Sequence, residues 1–318
     1  MEFPISARLA IEAQCAHIPQ EKLRRAAEGL TARYKTESGQ GKRLVTTAAD
    51  TLAYCAVRMP ATFGAVSQAL LWAKARFSGE IHTLLDVGAG TGAGTWAAQA
   101  VFESLESAVC LEREDEMRAL GRRIMDEADF PLPVSYIAGD MRTSLPDGQF
   151  DLVLASYALN ELTEKDRASI LSALWARTGK LLVLVEPGTP ASFAQMRQSR
   201  ETLVSLGANL AAPCAHADAC ALGEDDWCHF TTRIARSRLH KLLKDGDAPF
   251  EDEKFSYLAF SREEAPRAEA RILRHPKIEA GRITLSLCTK AGIETRVVTK
   301  KDKDAFKKAR KADCGDEF

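Results

Sequence analysis

The run Thr83 to Thr95, T-L-L-D-V-G-A-G-T-G-A-G-T, constrains this chain most: an apolar strand runs straight into a glycine-rich turn. Leu84, Leu85 and Val87 read as a short buried strand. Gly88, Gly90, Gly92 and Gly94 let the chain turn sharply and bring bare backbone against a ligand. Trp96 to Leu105 then reads as a helix, whose first amide N–H groups face that ligand. Strand, glycine turn and helix in this order form the nucleotide-binding corner of a doubly wound α/β sheet. Alone, the turn suits NAD, FAD or S-adenosylmethionine.

The later strands narrow the choice. Ser107 to Leu111 ends in Glu112, where an acid accepts hydrogen bonds from a ribose diol. Val134 to Ile137 runs into Gly139-Asp140, a place for a carboxylate against an adenine amino group. Phe150 to Ala155 leads to Ser156-Tyr157-Ala158-Leu159-Asn160-Glu161-Leu162, and Lys180 to Val185 leads to Glu186-Pro187-Gly188. With Asp86 ahead of the first glycine, the series from Thr83 to Gly188 resembles the class I S-adenosylmethionine-dependent methyltransferases. The resemblance implies a Rossmann-like sheet and a donor site made by Asp86, Gly88, Ala89, Gly90, Gly92, Glu112, Asp140 and Ser156.

At 318 residues and 46% hydrophobic, the chain has material for one large core with additions. No run approaches the roughly 20 apolar residues that span a bilayer, which argues against a membrane partner. Met1 to Ala16 lacks the basic start and apolar core of a signal peptide, and Glu2 and Glu12 disagree with an acid-poor transit peptide. These features lead us to expect a cytoplasmic protein of bacterial type, whose eight cysteines are not structural disulfides. Charge is uneven. Residues 229–318 carry 21 Lys+Arg against 15 Asp+Glu, a balance of +6, which leaves 22 against 29, or −7, for residues 1–228. Such asymmetry points to a polyanionic partner for the basic part, or to a solvated basic face.

Apolar spacing predicts helices over Ile5 to Ala16, Gln20 to Tyr34, Thr46 to Met59 and Thr62 to Phe77, broken by Pro19, the loop Thr36 to Gly41, and Pro60. Residues 191–210 read as a further helix, and Phe255 to Phe260 reads as a strand returning to the sheet. Arg271 to Lys300 reads as a small β extension turning at Lys290-Ala291-Gly292, followed by the lysine-rich tail Lys300 to Lys311. The expected organisation is a helical cap (1–78), a nucleotide-binding core (79–200), a cysteine-rich insertion with a basic helix (201–250), and the returning strand, extension and tail (251–318).

Cys214, Cys220 and Cys228 follow one another as C-x5-C-x7-C. In a reducing compartment, clustered thiolates point to a metal rather than a bridge. A fourth ligand comes from elsewhere: Cys288, or alternatively His216 or His229. Four cysteines suit a zinc ion or an iron–sulfur cluster. The strings D-D-W-C-H-F (Asp225 to Phe230), R-S-R-L-H (Arg236 to His240) and E-D-E-K-F-S-Y-L (Glu251 to Leu258) resemble the methyltransferase-like ribosomal small-subunit assembly proteins shared by bacteria and mitochondria. That resemblance covers nearly the whole chain. It implies a [4Fe–4S] cluster on Cys214, Cys220, Cys228 and Cys288, and the small ribosomal subunit with its RNA as partner. Off the ribosome, a monomer is expected. The end Ala309 to Phe318 departs from the family in its acidity and in Cys314, to which no ligand role is assigned; Cys15, Cys55 and Cys110 read as ordinary residues.

The acceptor side is less marked. Amino-group methylases carry an Asn/Asp-Pro-Pro-aromatic turn after the fourth strand, where this chain has Ser156-Tyr157-Ala158-Leu159. Cytosine-5 methylases need a cysteine there, and the only Pro-Cys pair is Pro213-Cys214. Tyr157 and Asn160 either border an acceptor or cap the next helix and line the donor pocket. No catalytic base is assigned. His229 to Lys244 reads as a helix with Arg233, Arg236, His240 and Lys244 on one face, widened by Arg238 and Lys241. The stripe is a candidate for RNA phosphates, or a solvated face paired with Asp245 or Asp247. Two function classes follow: an S-adenosylmethionine-dependent methyltransferase of ribosomal RNA or a ribosome-bound acceptor, and a catalytically inactive RNA-binding factor that uses donor and cluster structurally.

Overall fold

β1 (Thr83–Val87) is buried beyond its first residue, as a continuous apolar run demands of a strand covered on both faces. In the computed structural model, which describes residues 1–37, 45, 47–244 and 246–318, it pairs in parallel with β2 (Ser107–Glu112) and β4 (Phe150–Ser156). β3 (Val134–Ala138) adds beside β2, and β5 (Thr178–Pro187) beside β4. β8 (Phe250–Ser261) runs antiparallel to β5 and carries β6 (Asn209–Ala212) and β7 (Phe230–Ala235). The resulting order is β3-β2-β1-β4-β5-β8-β6, a mixed sheet of an α/β fold with β7 paired to β8. Its growth reverses direction between β1 and β4, the place where α/β sheets bind ligands.

The crossovers are α4 (Ala93–Val101), α5 (Asp115–Glu127), α6 (Glu164–Arg177) and α7 (Pro190–Ser205). α4 starts earlier and ends sooner than the expected Trp96 to Leu105. Gly92, at φ +89°, caps its start, and Phe102 already turns extended.

Before the sheet lie α1 (Ile5–Ala16), α2 (Gln20–Glu37) and α3 (Ala48–Lys74). α2 runs through Thr36, and residues 38–41 of the expected loop, like Thr46, lie outside the described residues. α3 corrects the expected break at Pro60: one helix of 27 residues passes through it. A proline in a helix interior removes one hydrogen bond and costs about 3 kcal/mol. Here tertiary packing outweighs that cost, because α3 buries residues on nearly every side, among them Ala53, Met59, Phe63, Val66 and Leu70. A capping box of Thr47 and Asp50 fixes its start. The helix shares one core with α4 and with Val183, Phe230, Phe255 and Ala259 of the sheet.

The segment His229 to Lys244 is a second correction. It is β7 followed by the six-residue α8 (Arg238–Leu243), not one helix. Thr231, Thr232 and Ile234 are β-branched and sit in register with Lys254, Glu253 and Glu251 of β8. Ser237 then starts α8 by accepting the His240 N–H at 3.1 Å.

β9 (Ala270–Ile272), β10 (Lys277–Glu279), β11 (Arg282–Thr289) and β12 (Gly292–Thr299) form a second, antiparallel sheet, with the expected turn after Lys290. α9 (Lys303–Lys311) lies on it, packing Ala305, Phe306 and Ala309 against Ile283, Leu285, Leu287 and Val298. Beyond α9 the chain turns back along β9: Gly315 N–H donates to Ile272 O, and Ile272 N–H to Asp316 O. Among the described residues, no helix is long and apolar enough to cross a membrane.

Candidate functional site

A cleft opens at the carboxyl ends of β1 to β4, and Gly88, Gly90, Glu112, Asp140 and Ser156 all line it. Gly90 adopts φ +55°, and a Cβ there would meet nothing within 4 Å, so its backbone faces open space. Its N–H donates to Glu112 Oε2 at 2.9 Å, while Glu112 Oε1 accepts the Glu114 N–H at 2.8 Å. Two of roughly four acceptor positions on that carboxylate are thereby used, and the others remain for a ligand diol. Burial raises the Glu112 pKa, against the pull of these two backbone N–H groups. Asp140 is gripped by Arg142, whose side chain donates to both carboxylate oxygens and holds its pKa below the ordinary value.

Three expected donor-site residues stand elsewhere. Asp86 is fully buried and accepts the Thr95 hydroxyl at 2.9 Å; its second oxygen has no partner. It therefore anchors the glycine turn from beneath. Gly92 faces α5 and β3, since a Cβ there would strike Met125 and Tyr136. Ala89 is 7% exposed and donates its N–H to Leu111 O. Conversely, Tyr54, Arg113, Arg142 and Glu161 line the cleft without having been foreseen. Arg142 was in view two residues after Asp140, but Tyr54 arrives from α3, outside the motif series.

The turn after β4 lines the cleft through Ser156, Tyr157, Ala158, Glu161 and Leu162, while the Tyr157 hydroxyl is bound inward. Tyr157 sits at φ +56°, and its hydroxyl donates to Glu253 Oε1 at 2.8 Å. Arg58 of α3 grips the same carboxylate at 2.8 and 3.1 Å. Glu186, at the end of β5, accepts the Leu159 N–H at 2.9 Å; burial pushes its pKa up to about 8. Thr163, not Asn160, caps α6. Asn160 Oδ1 is buried with no partner.

A second, apolar cavity brings Cys214, Cys220, Cys228 and Cys288 together, beside Arg200 and Arg271. Trp227 holds the loop that carries three of them, donating its Nε1–H to Gly188 O at 3.0 Å. Ser256 donates to Cys228 O at 2.7 Å. Cys288 lies on β11 in register with Arg271 of β9. Arg271 donates to Pro213 O at 3.0 Å, and Arg200 to His216 O at 3.1 Å. Burial pushes the Cys214 thiol up to about 11 and Cys228 well above its ordinary value. Neither His216 nor His229 lines the cavity; His229 stacks on Trp227 instead. Among the described residues, no group of three or more His, Cys, Asp or Glu side chains is arranged to hold a metal ion as it stands.

The expected basic stripe is paired. Arg233 bonds Asp252 at 2.9 Å, while Arg236 and Lys244 meet Glu251 at 3.0 and 2.8 Å. His240 is 1% exposed and faces the same Glu251. Two acids of β8 thus pair with three cations of the expected stripe; Asp245, one of the two expected partners, lies outside the described residues.

Residues 48–318 match the protein family described as mitochondrial small ribosomal subunit Rsm22. The human mitochondrial ribosome assembly protein METTL17 is 30% identical over 290 residues, covering 83% of this chain and 61% of that protein. The Rsm22-cox11 tandem protein 2 of Schizosaccharomyces pombe, also mitochondrial, is 28% identical over 215 residues, covering 61% of this chain. The chain thus spans 61% and 28% of the lengths of these relatives. Among solved structures, the magnesium protoporphyrin IX methyltransferase of Synechocystis aligns at 14% identity and a TM-score of 0.42, over 75% of this chain and 97% of that one. The expectation of a bacterial-type cytoplasmic protein is overturned, because both relatives are mitochondrial proteins.

Burial pushes the Asp86 carboxyl up to about 7. The native state therefore keeps that proton between roughly pH 4 and 7, where an unfolded carboxyl has released it. More protons bound in the native state means that stability falls as pH rises through this window. Asp86→Asn should remove this component, so that the stability difference between parent and variant changes by ~1.4 kcal/mol per pH unit. Urea unfolding at pH 5, 6 and 7 measures it; a difference constant with pH would refute a protonated Asp86.

Proposed function

The chain belongs to the Rsm22 family of the mitochondrial small ribosomal subunit, and on that premise we propose that it is an assembly factor of the small subunit. In this reading it binds S-adenosylmethionine in the cleft, holds a [4Fe–4S] cluster at the four cysteines, and contacts ribosomal RNA without methylating it. One observation carries the proposal. Five residues expected to hold a donor line a single cleft, while the Tyr157 hydroxyl of the adjoining turn is spent on Glu253 and the Glu161 carboxylate on Arg113.

The cleft fits the donor. Gly88 and Gly90 offer backbone without side chains, and Glu112 keeps acceptor capacity for a ribose diol, while Glu114, Asp140 and Glu161 are paired with Arg113 and Arg142. S-adenosylmethionine supplies an electrophilic methyl group when bound. An acceptor would need a polar group to orient it. Tyr157 is the nearest candidate by sequence, but its hydroxyl is held by Glu253, itself gripped by Arg58. A binding role for the donor follows.

The cysteine cavity also fits its group. Four thiols from two segments border one apolar space, and Arg200 and Arg271 place positive charge beside a centre whose thiolates make it negative. A bound cluster would crosslink the 214–228 loop to β11.

In calorimetry the parent should bind S-adenosylmethionine, and Gly90→Leu should abolish binding, because a side chain there fills the ligand's space and is strained at φ +55°. Undiminished affinity in the variant would remove the cleft assignment. Methyl maps of small-subunit ribosomal RNA with and without the gene separate the two function classes: a lost methyl group restores the methyltransferase reading.

Purified without oxygen, the protein should be brown with about four irons per chain, and Cys288→Ser should lose both colour and iron. Stoichiometric zinc without iron would decide for a zinc site instead.

A further inference from the structure

We propose that α9 and the turn before it form the polyanion-binding surface of this chain, and that its partner is the phosphate backbone of small-subunit ribosomal RNA. The inference rests on the ribosomal reading above and names the surface that serves it.

Charge locates the surface. Residues 300–311, K-K-D-K-D-A-F-K-K-A-R-K, hold seven Lys+Arg and two Asp, so 7 − 2 = +5. The whole of residues 229–318 balances at +6, which leaves +1 for everything outside this segment. The excess that separates the two parts of the chain is therefore almost entirely here. Arg233, Arg236 and Lys244 are each in ion pairs with β8. None of the seven cations in 300–311 has an ion-pair partner among the described residues, and all seven are exposed.

Geometry aims the charge. Lys303, Lys307 and Lys311 stand at steps of four on α9, and Arg310 lies beside Lys303 at a step of seven, so the four share one helical face. Ala305, Phe306 and Ala309 occupy the opposite face, packed on the second sheet. Ala309 is fully buried. An amphipathic helix that enters a lipid interface must bury its own apolar face there. Here that face is already consumed, and of the exposed residues on α9 all but Asp304 are cations. Asp302 is held locally, accepting the Thr299 N–H and hydroxyl at 3.0 Å each. A row of unpaired lysines on a fixed platform suits phosphates, which it would contact as point charges without reading bases.

The test uses the full chain and folded small-subunit ribosomal RNA made by transcription, with binding measured from 50 to 200 mM salt. The test variant combines Lys303→Ala, Lys307→Ala, Arg310→Ala and Lys311→Ala; alanine keeps helix propensity, and thermal melting checks the fold. Each phosphate contact contributes about 0.7–0.9 to the slope of log affinity against log salt. Across this salt range the parent should lose on the order of 10²-fold more affinity than the variant. A charge-keeping variant with arginine at Lys303, Lys307 and Lys311 should behave as the parent. S-adenosylmethionine binding should be the same in all three. Equal affinity and slope in parent and alanine variant would overturn the surface while leaving the ribosomal reading intact. No RNA binding by the parent would overturn both. Anionic phosphatidylserine vesicles bound as tightly as RNA, and lost in the alanine variant, would replace RNA by a membrane.

Discussion

One buried guanidinium, Arg271, holds the C-terminal part of this molecule together. It is 1% exposed and donates to Pro213 O next to Cys214, to Gly315 O of the returning chain end, and to Glu317. A buried cation is tolerated only when its hydrogen-bonding groups are satisfied, so three segments far apart in sequence must converge on this residue. Glu317 is also gripped by Arg76, just beyond α3, which links the returning segment to that core helix. Trp72 of α3 covers the Arg271 guanidinium with its ring, and Gly315 fits closely against that ring. The cysteine cavity is framed by this convergence.

A comparable use of buried carboxyls supports the cleft. Asp86 receives the Thr95 hydroxyl of α4, while Glu112 and Glu186 receive backbone N–H groups from turns at the carboxyl edge of the sheet. They fix loop shape first, and only Glu112 faces the cleft while doing so. Position decides the role: Asp86 and Glu186 are closed off from the cleft, whereas Glu112 lines it and keeps acceptor positions beyond its two backbone N–H partners.

Local patterns were legible where one period dominated. The strands β1, β2 and β4 and the glycine turn stand where apolar runs and glycines place them. The β extension and its turn at Lys290-Ala291-Gly292 also stand where they were expected. What sequence could not carry was partnership. Arg233, Arg236, His240 and Lys244 fit a helical period, yet Thr231, Thr232 and Ile234 pair with β8, and the acids that neutralise the stripe come from that strand. Pro60 reads as a stop because its local cost is visible and the burial of α3 is not. Asp86 precedes the glycines in the expected place, but which face of a doubly covered strand turns to solvent is not written in its neighbours. Cys214 and Cys288 are 288 − 214 = 74 residues apart, and their meeting was expected from the need for a fourth ligand, with His216 and His229 as alternatives, and from family resemblance, not from spacing.

β11 serves two structures at once. Leu285 and Leu287 point into the core beneath α9, and Cys288 points to the cysteine cavity from the other face. Because strand side chains alternate, a slip of a single residue would carry Leu287 to the thiols and Cys288 into the hydrocarbon under the basic helix. Neither face can drift alone. The pairing of Cys288 with Arg271 on one side and Ile293 on the other therefore acts as a gauge: it sets the position of a sulfur and the height of a lysine-bearing helix from one common edge.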